Sequence, residues 1–264
     1  MTGVSVPIAR AGARARAGLA ACLVAAALCG GAPSAVLAAA PASEAADATP
    51  IAAAERLLFM TPHLQGVAAQ TELDYSMITS GPPEKVNDTV RVLVPSANNA
   101  SHNASVSDRT GQVQVPAGDL PCNPVILYFL EHDIAEMEQL TGGQRRYFQK
   151  RVRLALAANP PIVPVNANLN GKPVKARKIE IQPYRNDPNA QRFPQFVGKR
   201  YTFVFADDVP GGVSQIHTEV PGDNDDFAHP RVAETLSFQA AVRKLPAPQG
   251  APAPVSPNGP RASR

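Results

Sequence analysis

Residues 123–158 read NPVILYFLEHDIAEMEQL, TGG, QRRYFQKRVRLALAA, and how they fold decides the architecture of the chain. Asn123 can cap a helix through its side-chain oxygen, and Pro124 falls at the first helical position, where a missing N–H costs nothing. Ile126, Leu130, Ile134 and Met137 recur at spacings of four and three, which gives that helix one apolar face. Gly142 or Gly143 can take the positive φ that ends it, and so short a link predicts an antiparallel helical hairpin. The second helix places Phe148, Val152 and Ala155 on its inner face, with Leu156 at the edge.

On either side the period changes from helical to alternating. Leu73, Tyr75 and Met77 alternate with Glu72, Asp74 and Ser76, and Val90, Val92 and Val94 share one face of a strand over Asp88–Pro95. The polar stretch 96–111 predicts a loop or weak edge strand, followed by a short strand at Gln112–Val115. Beyond the helices, Asn170-Gly171 sits between the strands Ile162–Leu169 and Lys172–Pro183, a strong hairpin signal. Tyr201, Phe203 and Phe205 share a face in the next hairpin, which turns through Pro210-Gly211-Gly212. A last strand, Ala233–Lys244, points Leu236, Phe238 and Ala240 inward. Each strand has one apolar face to cover, and the amphipathic helices are the only candidate cover. The expected fold is α+β: a curved antiparallel β-sheet, or half-barrel, wrapped around a central helical hairpin.

The 264 residues divide unevenly. Residues 1–38 read as a signal peptide, with Arg10, Arg14 and Arg16 before an alanine- and leucine-rich run and Val36-Leu37-Ala38 at the cleavage point. That run is short and broken by Gly30, Gly31 and Pro33, so no permanent membrane span is expected. Leu19-Ala20-Ala21-Cys22 has the form of a lipobox, but it comes too soon after Arg16, and a periplasmic protein is preferred to a lipoprotein lipidated at Cys22. Residues 39–50 form a flexible leader, 51–245 a single domain opened by a short helix over residues 51–59, and 246–264 a disordered Pro- and Ala-rich tail. The net charge of +3 equals the three arginines of the signal, so the mature chain has no basic field to attract nucleic acid. Of the three cysteines, Cys122 alone lies outside the signal, and it reads as a small half-buried hydrophobe.

No nucleophile elbow, P-loop, dinucleotide fingerprint or HExxH is present, so neither catalysis nor a cofactor is expected. Glu131, His132, Asp133 and Glu136 are the densest ionisable group. His132 and Glu136 share a helix face, but the other histidines are scattered and no metal site is expected. The acids of the first helix, Glu131, Asp133, Glu136 and Glu138, are expected to pair with Arg145, Arg146, Lys150, Arg151 and Arg153 of the second. Asp223-Asn224-Asp225-Asp226 lacks the glycine and the closing glutamate of a calcium loop and reads as a solvated turn.

The order of a signal, a short helix, strands, a central helical pair and more strands over residues 51–244 resembles the LolA/LolB-like half-barrel family, periplasmic carriers and receptors of lipoproteins. The stretch LTGGQRRYF, Leu140–Phe148, is similar to a motif of uncharacterised proteobacterial exported proteins. The resemblance implies an unclosed barrel sheltering acyl chains, with a lipid or lipoprotein acyl chain as ligand. On the residues' own pattern, the lining would be Leu73, Tyr75, Met77, Tyr201, Phe203, Phe205, Leu236 and Phe238, with Ile126 and Leu130 as the lid. The alternative is an envelope scaffold with a filled core that binds another protein.

Overall fold

The computed structural model describes residues 50–81, 86–98 and 100–244. The expected signal peptide, Cys22, nearly all of the leader and the tail lie outside them. The described chain opens with a helical turn, α1 (Ala53–Glu55), that runs into a single π-turn, Arg56–Met60. Thr61 is extended because Pro62 follows it, and the helix stops there.

The remaining elements are β1 (Thr71–Ser80), β2 (Val86–Val94), α2 (Ala100–Asn103), β3 (Ser105–Asp108), β4 (Gly111–Val113), α3 (Pro124–Thr141) and α4 (Arg145–Ala157). They are followed by β5 (Ile162–Leu169), β6 (Lys172–Ile181), β7 (Arg200–Phe205), β8 (Val213–Val220) and β9 (Val232–Arg243). All nine strands form one antiparallel sheet in the order β4-β3-β2-β1-β9-β8-β7-β6-β5. The outer strands β4 and β5 each pair on one side, so the sheet is open. β1 and β9 join the strands that precede the helices to those that follow them.

The helices cover one face of this sheet. Leu73, Tyr75 and Met77 of β1, Ile179 of β6, Tyr201 and Phe203 of β7, Ile216 of β8 and Leu236 of β9 form one continuous core with Ile126, Phe129, Ile134 and Met137 of α3 and Phe148, Val152 and Leu156 of α4. The register explains the row: Ile179, Phe203, Ile216, Leu236 and Met77 stand opposite one another across five strands. The alternate positions Ala176 and Val204 belong to a smaller cluster with Ala206 and Val209. Two details depart from the sequence pattern. A bulge between β1 and β9 sets Ala240 opposite Asp74, so Ala240 leaves the core row and is half-buried. On α4 it is Leu156 that is buried, while Ala155 takes the edge.

The caps follow the sequence. The Asn123 side chain accepts from the Val125 N–H at 3.1 Å, and Gly142 ends α3 with φ 65°. A Cβ on Gly143 would stand 2.7 Å from the Phe148 ring, so the second glycine admits that ring beneath the link. An antiparallel pair folded at this link would lay Glu131 beside the last turn of α4. Glu131 instead pairs with Arg145 at 3.2 Å and accepts from Gln149 at 2.8 Å, both early in α4. These contacts do not establish an antiparallel hairpin. The expected charge ladder does not form among the described residues. Arg151 pairs with Asp187 at 2.8 Å, Asp133 is buried against the sheet, and only Glu131–Arg145 bridges the two helices.

Candidate functional site: an apolar groove and a buried polar cluster on one helix

α3 turns two different flanks to its surroundings. Leu127, Leu130, Glu131 and Ile134 recur at i, i+3, i+4 and i+7 and face a groove of about 920 Å3. Arg146, Gln149, Lys150 and Arg153 repeat the spacing on α4 and form the opposite wall with Val152. Ile51, Glu55, Phe59 and Met60 of the N-terminal segment and Leu120 close it. Met60 and Ile51 are each 47% exposed, so apolar surface is open to solvent at this end. Glu131 is satisfied by Arg145 and Gln149. Arg146, Lys150 and Arg153 are exposed and have no carboxylate partner among the described residues. A floor of aliphatic and aromatic side chains under a rim of unmatched cations suits a ligand with an apolar body and an anionic end.

The other flank carries His132, Asp133 and Glu136. Asp133 is fully buried; the Lys199 ammonium and the Tyr201 hydroxyl, the latter at 2.6 Å, donate to its two oxygens. Tyr184 extends this network to Tyr201 at 3.0 Å. From β9, Glu234 accepts the Thr79 hydroxyl at 3.1 Å and lies 3.4 Å from His132 Nε2, both through Oε1. Its Oε2 is buried with no hydrogen-bond partner among the described residues. One carboxylate oxygen from each of Asp133, Glu136 and Glu234 lies within 4.8 Å of the others. The hydrogen bond to Glu234 raises the His132 pKa, and burial, the largest influence on Glu136, raises its pKa as well. From the sequence, His132 and Glu136 lacked a third convergent ligand among the scattered histidines; the structure brings Glu234, a distant carboxylate, close to Asp133 and Glu136.

A third polar knot sits at the start of α3. Asn123 donates from its backbone to His63 Nδ1 and from its amide to the Tyr75 hydroxyl and the Gly211 carbonyl. His63 stacks on Phe205, and burial lowers its pKa to about 4. Beside it, burial pushes the Cys122 thiol up to about 11, as befits an inert packed side chain. In the loop 223–226, Asp223 pairs with Arg231 at 2.5 Å and Asp225 with Arg185 at 2.8 Å.

The ten residues expected to line a ligand chamber do lie together. Leu73, Tyr75, Met77, Ile126, Leu130, Tyr201, Phe203, Phe205 and Leu236 are buried in the main core, and Phe238 is half-buried against it. Leu130 alone also reaches the groove. The groove itself escaped sequence reasoning because its walls come from three separate segments whose crossing is set by tertiary packing. Glu234 left a trace: it shares strand parity with Leu236 and Phe238, a carboxylate on an apolar face.

Among the described residues, no helix is long and apolar enough to cross a membrane. No protein-family model matches the chain, and no curated protein matches it. Among solved structures, the crystal structure of the Mycobacterium tuberculosis lipoprotein LppX overlaps it at 8% identity and a TM-score of 0.27, over 66% of this chain and 88% of that one. So distant an overlap carries no argument about ligand or cellular place.

Proposed function

We propose that this is a non-catalytic binding protein of the bacterial envelope, a half-barrel-like domain that takes the acyl chain of an anionic amphiphile into the groove between the N-terminal helical segment, α3 and α4. One observation carries the reading: an apolar floor of Phe59, Met60, Leu127, Leu130 and Val152 beneath three cations that have no carboxylate partner among the described residues. Its volume, about 920 Å3, falls within the usual range of small-molecule sites, roughly 300–1,000 Å3. The ligand is placed here and not on the sheet's covered face, because the side chains of that face already pack against α3 and α4. The envelope location rests on the reading of residues 1–38 as an export signal.

The packed interior favours one other reading, a scaffold that binds a protein partner with no lipid involved. Native mass spectrometry of the purified mature protein separates the two. A co-purifying fatty acid or acidic phospholipid, removed by detergent exchange, supports the acyl-chain reading. A lipid-free protein that also takes up no added oleate supports the scaffold.

A further inference from the structure

The cluster on the inner flank of α3 has more carboxylates than buried cations. Three carboxylates, Asp133, Glu136 and Glu234, converge within 4.8 Å, and Lys199 supplies one buried cation against them. A divalent cation would bring the further positive charge that three converging carboxylates beside one ammonium can accept. The second, separate sign is Oε2 of Glu234, on a side chain 5% exposed, an atom with no hydrogen-bond partner among the described residues. A buried acceptor left unmade costs free energy unless something completes it.

The geometry supplies carboxylate donors. His132 and Glu136, at i and i+4, stand on one face of α3, and His132 Nε2 already faces the Glu234 carboxylate at 3.4 Å. The Asp133 oxygens each hold one protein donor, and a carboxylate oxygen has a second lone pair to offer. Lys199 and Tyr201 fix the orientation of that carboxylate, as partners of ligating groups do in metal centres. The His132 side chain is 47% exposed and gives an ion a way in from solvent.

We propose that Asp133, Glu136 and Glu234 form a site for one divalent first-row transition metal ion that ties α3 to β9, with His132 beside it at the solvent side. A set of carboxylate oxygens suits Mn2+.

The test uses full-length mature protein stripped with a chelator, and Mn2+ as the probe. Loss of the free-ion electron paramagnetic resonance signal is expected to count one bound Mn2+ per chain. Thermal unfolding is expected to shift up by about 5–10 °C once Mn2+ exceeds its Kd a hundredfold. Glu234→Gln and Glu136→Gln are each expected to abolish both responses while melting with the same cooperativity in chelator. Glu136 is half-buried and decides the matter if Glu234→Gln does not fold. The proposal is overturned if the parent binds no Mn2+, or if one ion per chain still binds in the folded variants. A melting temperature that follows pH but ignores Mn2+ overturns it equally.

Discussion

The two flanks of α3 share a helix and differ in everything that surrounds them. On one, leucines and an isoleucine open to a groove whose cations Arg146, Lys150 and Arg153 are exposed and, among the described residues, have no carboxylate partner. On the other, Asp133 and Glu234 are buried and held by a lysine, a tyrosine, a threonine and a histidine. A charge at the groove rim remains hydrated, whereas one in the cluster has lost its water and depends on its partners. Equal substitutions on the two sides should therefore have very unequal effects on stability, and the groove side should show its importance in binding.

The largest effect is expected from Lys199→Met. It leaves the Asp133 carboxylate buried with Tyr201 as its remaining direct donor, at a cost of about 3–5 kcal/mol in urea unfolding. Lys150→Met on the rim should stay within about 0.5 kcal/mol of the parent. Similar costs for the two lysines would erase the distinction between the flanks.

Next comes His63, whose ring is kept neutral by burial, with a folded pKa of about 4 against an ordinary 6.5. Because the folded value is the lower, the unfolded chain gains the proton first as pH falls. Stability is whole above pH 6.5 and declines between 6.5 and 4, by up to about 3 kcal/mol. His63→Phe keeps the stack on Phe205 and should flatten that part of the profile when unfolding is compared at pH 7 and 4.5. An unchanged slope would mean that His63 is not the group responsible.

Asn123→Ala removes the cap common to both flanks together with its bonds to Tyr75 and Gly211. A loss of about 1–2 kcal/mol is expected from the cap alone. The smallest change in stability, within about 0.5 kcal/mol, belongs to the double variant Lys150→Glu, Arg153→Glu. Its effect should appear as roughly tenfold weaker binding of an anionic chain, the loss of about 1.4 kcal/mol.

Local chemistry made much of this fold legible. Asn123-Pro124, Gly142, Asn170-Gly171 and the alternation of Tyr201, Phe203 and Phe205 mark caps, turns and faces that neighbouring residues fix, and the strands follow. The packing angle between α3 and α4 was not legible, because Gly142 and Gly143 end a helix without dictating the direction of the next. Nor could the bulge be read, since Ala240 changes sides through pairing with a strand more than 150 residues away. For the same reason the candidate sites stayed hidden. The groove needs Met60, Leu127 and Lys150 side by side, and the cluster needs Lys199 and Glu234 beside α3. The expected chamber residues share the packed core instead of lining an open chamber. Phe203 is fully buried there, so Phe203→Arg is expected to unfold the protein and cannot serve as a binding probe.

Displacement of a hydrophobic dye by oleate, followed in parallel in the parent and in Met60→Glu, tests the central claim most directly. Met60 is 47% exposed on the groove wall, so the variant should remain folded. The groove reading predicts that the parent binds the dye, that oleate displaces it more effectively than the uncharged methyl ester, and that Met60→Glu weakens both ligands. A folded parent that binds neither dye nor oleate, or a Met60→Glu variant that binds both as the parent does, would contradict it.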